Sequence, residues 1–124
     1  MWGMPMQKPG FETVRDIGLA FPGVEESTCY GQPALTVAGK MFTCIPSHPS
    51  AEPGSLAVRI DFADRQALLT EAPDIYYVTG HYADYPCVLV RLDRIQPDAL
   101  RGLLMGAAQF VRTVKGKRRA RQSR

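Results

Sequence analysis

A chain of 124 residues, 45% hydrophobic and 22% charged, is long enough for one domain with its own core and has neither a disordered nor a fibrous composition. No apolar run reaches bilayer-spanning length, and residues 1–10, broken by Pro5 and Pro9, are too short for a signal peptide, so a cytoplasmic protein without membrane contact is expected. The formal net charge of +3 is segregated: residues 1–111 hold eight basic and twelve acidic side chains (net −4), and residues 112–124 hold seven basic and no acidic ones (net +7).

After a flexible N-terminus (residues 1–10), Phe11, Val14, Ile17, Gly18 and Phe21 recur at helical spacing, which predicts a helix over 11–20 stopped by Pro22-Gly23. Ser27 to Tyr30 is β-rich and ends at Gly31-Gln32-Pro33. Ala34 to Val37 and Lys40 to Ile45 flank Ala38-Gly39, a hairpin connection whose turn type the alanine leaves open. Residues 46–55, with three prolines and His48, read as a loop. Leu56, Val58 and Ile60 then alternate with Ala57 and Arg59, as in a strand with two different faces.

Asp61 or Asp64 can cap a second helix whose apolar side is Phe62, Leu68 and Leu69 and which ends before Pro73. Ile75 to Val78 reads as a strand, residues 79–86 as a tyrosine-rich loop, and Cys87 to Leu92 as a strand. Pro97 and Asp98 suit the first turn of a last helix, striped by Leu100, Leu103, Leu104, Ala107, Ala108, Val111 and Val114, with Gly116 as its stop. Beyond it, residues 116–124 have nothing to bury and are expected to form a disordered basic tail. Short links between strands favour antiparallel pairing. The predicted fold class is α+β: a two-layer sandwich of about five to six antiparallel strands, helices on one face, in one domain over residues 11–115.

Cys29, Cys44 and Cys87 form no CxxC pair and read as reduced, buried thiols. His48 and His81 are the only histidines and stand far apart in sequence, so no metal site and no cofactor is expected. There is no phosphate loop, nucleophile elbow or HExxH, and no argument for an enzyme. A Cys87–His81 nucleophile would need a thiolate and an aligned base, which spacing does not supply. The candidate binding residues form three groups. Arg59 and Arg91 should project from the uncovered sheet face beside Tyr76 or Tyr77, with Lys40 near the hairpin; the alternative is a solvated face whose arginines pair with Asp61 or Asp93. Tyr30, His81, Tyr82 and Tyr85 mark a ligand or interaction loop. Lys117, Arg118, Arg119 and Arg121 can neutralise phosphates without reading sequence.

Three motifs carry a resemblance. Ala20-Phe21-Pro22-Gly23-Val24-Glu25 closes the first helix. Tyr30-Gly31-Gln32-Pro33-Ala34 is followed by Gly39-Lys40-Met41-Phe42. His81-Tyr82 precedes Tyr85-Pro86-Cys87-Val88-Leu89-Val90-Arg91-Leu92. In that order they resemble the MmcQ/YjbR family of small bacterial proteins, over residues from about Phe11 to about Leu104. The resemblance implies a CyaY-like (frataxin-like, double-wing) α+β fold and a DNA-binding role. The chain departs from the pattern at Cys87, where family members often carry tryptophan, and in its basic C-terminus. The leading expectation is a small binding module that contacts DNA or RNA weakly through the tail and the open sheet face. The rivals are a small-molecule or peptide-binding protein, or a protein-interaction module, using that face and the tyrosine-rich loop. Oligomeric state is not legible from the sequence.

Overall fold

Six strands and three helices follow one another as α1 (Phe11–Leu19), β1 (Val24–Cys29), β2 (Gln32–Val37), β3 (Lys40–Cys44), β4 (Ser55–Arg59), α2 (Phe62–Glu71), β5 (Tyr76–Tyr77), β6 (Cys87–Arg91) and α3 (Pro97–Gln122). The computed structural model describes residues 10–122, with side chains through residue 113; the predicted flexible N-terminus lies outside the described residues except for Gly10. The sheet order is β1-β2-β3-β4-β6-β5 and every neighbouring pair is antiparallel. The expected α+β sandwich is therefore present, with six strands.

Two tight turns set the first three strands. Tyr30 (φ 52°) and Gly31 (φ 80°) join β1 to β2, and Ala38 (φ 54°) and Gly39 (φ 76°) join β2 to β3. Positive φ at both central residues defines the type I′ turn, whose twist matches the strands it joins. Tyr30 is thus a turn residue rather than the end of a strand. Gln32 and Pro33 belong to β2, and β1 begins three residues before the predicted Ser27. Pro33 pairs with Thr28, and its carbonyl accepts the Ile45 N–H at 3.0 Å. Proline needs only its acceptor there.

In β3 the register slips. Leu35 pairs with Thr43 and Thr36 with Met41, so Phe42 has no partner of its own. This bulge turns Phe42 into the helix-side core, where it is fully buried. Gly18 of α1 lies against the same spot: a Cβ there would collide with the Leu35 side chain and come within 3.8 Å of the Phe42 ring. Val14, Leu35, Leu56, Val88, Leu100 and Leu104 lie in the same core. The period-two reading of β4 and β6 holds: Val58 and Val90 face the helices, and Ala57 and Leu89 the opposite side.

Asp61, not Asp64, caps α2, its Oδ1 accepting the Asp64 N–H at 2.8 Å. Leu68 and Leu69 pack on the core, whereas Phe62 is half exposed and takes the Arg65 guanidinium 4.8 Å above its ring instead. The last helix is longer than predicted. Its backbone continues through Gly116 to Gln122, so residues 116–122 of the expected disordered tail extend α3, and the last two lie outside the described residues. One glycine inside a helix costs about 1 kcal/mol, which the surrounding Lys, Arg, Ala and Gln tolerate. The side chains of Lys117, Arg118, Arg119 and Arg121 lie outside the described residues.

Candidate functional site

Small side chains floor the uncovered face of the sheet. Ala34, Cys44, Ala57 and Leu89 form a second, smaller buried cluster there, with Cys29, Met41, Ala51, Tyr77 and Tyr82 packed against it. Two loops rise around this floor, residues 45–54 and residues 78–86. Between them and the Tyr30 hairpin lies a cavity of about 590 Å³ with Ala57, Cys44, Cys87 and Arg59 on the strand side. Its walls come from Ile45 to Pro49 on one loop and His81, Tyr82 and Tyr85 on the other.

The loops are clasped to each other. The His48 N–H donates to Tyr82 Oη at 3.3 Å, and Ser50 Oγ bonds Thr79 Oγ1 at 2.8 Å. The His48 and His81 rings stack almost parallel, with centroids 3.7 Å apart and 10° between their planes. Tyr82 stands edge-on to His81 at 4.7 Å, and Tyr85 is tilted against it at 6.2 Å. The histidines, 33 positions apart in sequence, thus meet as a stacked pair. Among the described residues no group of three or more His, Cys, Asp or Glu is placed to hold a metal ion.

Arginines hold both loops from outside. Arg65 of α2 donates to the carbonyls of Ala83 (3.0 Å), Tyr85 (3.1 Å) and Cys87 (3.2 Å), which fixes the tyrosine-rich loop onto the helix. Nothing in the sequence pattern singles out Arg65, because its partners are backbone atoms. Arg91 grips Glu52 in a two-pronged ion pair, Nε to Oε1 at 2.9 Å and Nη2 to Oε2 at 2.8 Å, and reaches the carbonyls of Pro73 and Asp74, both at 3.2 Å. Its guanidinium lies 4.3 Å above the Tyr77 ring, and Tyr77 Oη accepts the Glu52 N–H at 2.7 Å.

These placements separate the predicted basic group. Arg59 and Arg91 do share the open face with Tyr77, but they stand at opposite ends of the β4–β6 ladder, paired with Cys87 and Ser55. Arg91 is occupied by Glu52. Lys40 pairs with Val37, a helix-side core residue, so it belongs to the covered face and does not join the arginines. Arg112, counted in the basic C-terminus, donates to the Pro22 carbonyl at 3.0 Å. The second group does converge: Tyr30, His81, Tyr82 and Tyr85 all line the cavity.

All three cysteines line it too, and all are free. Burial pushes the Cys44 thiol up to about 12, with the neighbouring Cys29 adding to the rise. Burial also raises the Cys87 thiol, opposed by the positive charges of Arg59 and Arg65. Both therefore stay protonated at neutral pH, the opposite of what a thiolate nucleophile needs. Burial raises the Tyr82 hydroxyl as well. The walls thus offer apolar surface, aromatic rings and hydrogen-bond donors.

No helix among the described residues is long and apolar enough to cross a membrane. No curated protein matches the chain. Its fold is similar to the crystal structure of Deinococcus radiodurans protein DR2400, family-model domain DUF419, with a TM-score of 0.68 at 20% identity over 89% of this chain and 82% of that one. A family model described as YjbR matches residues 19–107, which takes in both hairpins, the two clasped loops and most of the helix-side core: the chain belongs to the YjbR family.

Proposed function

We propose that this protein is a non-catalytic binding module for a small organic anion, held in the cavity on the open sheet face. The observation that carries this reading is the charge of the lining. Among the described residues that line it, Arg59 is the only permanently charged side chain and none is a carboxylate, although residues 1–111 are acidic overall. A guanidinium partly shielded from water acts through a lower dielectric than one on the surface, and its several N–H donors suit an anion. The volume falls within the roughly 300–1,000 Å³ of small-molecule sites. Thermal-shift titration with a panel of small carboxylates should raise the midpoint, and a folded Arg59→Met protein should show no rise. No rise with any carboxylate, or an equal rise in Arg59→Met, would refute the assignment.

Nucleic-acid binding, the role expected from the family resemblance, is a second reading, favoured by the seven basic residues of 112–124. It places the contact on the C-terminal segment rather than on the cavity, because Arg91 is held by Glu52 and Lys40 lies on the other face. Anisotropy with duplex DNA and single-stranded RNA over a salt series, comparing the full chain with one ending at Lys115, separates the two. Binding that vanishes with the segment assigns it there, and binding retained by the shortened chain assigns it to the folded body.

A further inference from the structure

Tyr30 breaks a local rule at the rim of the cavity. Type I′ turns favour Asn, Asp or Gly at their first central position, and a bulky aromatic residue with φ of 52° is strained there. Its ring gains nothing from burial in return, since the residue is 88% exposed. Tyr85, on the opposing loop, is 55% exposed. Of the large hydrophobic side chains left exposed on the described surface, these two border the same cavity. Behind Tyr85 the wall is a continuous run of rings through His81 to Tyr82 and His48. Exposed rings beside a ring-lined cavity suit a flat partner, which would cover apolar faces that water now meets.

We propose that the ligand is an aromatic acid: a flat ring system seated between Tyr30 and the His81–Tyr85 wall, with its carboxylate directed to Arg59. This rests on the small-anion reading above and adds the shape and unsaturation of the ligand. Stacking supplies the selectivity, because an aliphatic acid of the same charge forms the ion contact but leaves the two tyrosine faces wet. Strain at Tyr30 is then the cost of carrying a ring at the hairpin tip.

The test is calorimetric titration of the full chain with 2-naphthoate, nonanoate and 2-naphthol. 2-Naphthoate should bind at least tenfold more tightly than either of the others. Tyr30→Asn, which improves the turn, should keep or raise the thermal midpoint while weakening 2-naphthoate at least tenfold and leaving nonanoate within twofold. Equal affinities for 2-naphthoate and nonanoate would overturn the aromatic inference and leave the anion reading standing. Equal affinities for 2-naphthoate and 2-naphthol would overturn the anion reading, and the carboxylate part of this proposal with it. Binding of none of the three overturns the proposal outright. Unchanged 2-naphthoate affinity in a folded Tyr30→Asn protein removes Tyr30 from the site.

Discussion

Phe42→Ala is expected to cost about 3–5 kcal/mol, a large share of the roughly 5–15 kcal/mol that holds a domain of this kind together. The midpoint of thermal unfolding should fall by on the order of 10–20 °C. The size of the effect follows from the bulge. Phe42 is an extra residue in β3, so its ring is not one of a ladder of equivalent side chains but a single wedge between sheet and helices. Gly18 lets α1 approach there, and no neighbour can refill the space without moving a helix. Phe42→Leu keeps most of the volume and should cost clearly less. Denaturant unfolding measures both; a loss below about 1 kcal/mol for the alanine variant would mean that the wedge is not what joins the layers.

Arg91→Ala should be the next most damaging change at a polar position, at about 2 kcal/mol. An ion pair to a carboxylate as exposed as Glu52 is screened by water and supplies only a minor share. The rest comes from the Tyr77 ring and two backbone carbonyls that lose their partner. Arg91→Lys keeps the charge but neither the two-pronged geometry nor the stacking, so it should recover less than half of the loss. The same contact carries a pH signature. The hydrogen bonds from Arg91 hold the Glu52 carboxyl below its ordinary value of 4.5. Its contribution is thus complete above that value and is lost as pH falls through the lowered one. Glu52→Gln should flatten this part of the acid-unfolding curve. An unchanged acid slope would show that Arg91 acts through Tyr77 and the carbonyls alone.

What could be read from the sequence divides along a physical line. Period two in Leu56–Ile60 and Cys87–Leu92 assigned both faces of β4 and β6, because alternation is local and burial is one-sided. The Ala38-Gly39 hairpin was visible through its glycine. The Tyr30-Gly31 hairpin was not, since a tyrosine at positive φ runs against turn preferences and Pro33 reads as a breaker. The glycine at the second turn position, Gly31 or Gly39, was present in both. The four expected loop residues do line one cavity: His81, Tyr82 and Tyr85 crowd together in sequence, whereas Tyr30 is brought to them by the sheet. The His48–His81 stack, the Arg91–Glu52 pair and the carbonyls taken by Arg65 depend on how two long loops close over the sheet. Separations of 33, 39 and about 20 positions leave no periodic trace. Arg59 and Arg91 look alike in sequence, each one residue before the apolar end of a predicted strand, yet one lines the cavity and the other fastens the loop at Glu52.

The sheet has two outer strands, and they are finished differently. Among the described residues, strand β1 pairs only with β2 and leaves Glu25 and Glu26 exposed, while β5 at the far side has two residues. A strand edge offers unsatisfied backbone donors and acceptors to any other extended chain, and a long plain edge invites stacking of one molecule on the next. Here adjacent carboxylates at one border repel an incoming copy carrying the same pair, and brevity at the other leaves too few rungs to template growth. Both borders of the layer of strands thus carry features that disfavour its extension by a further chain.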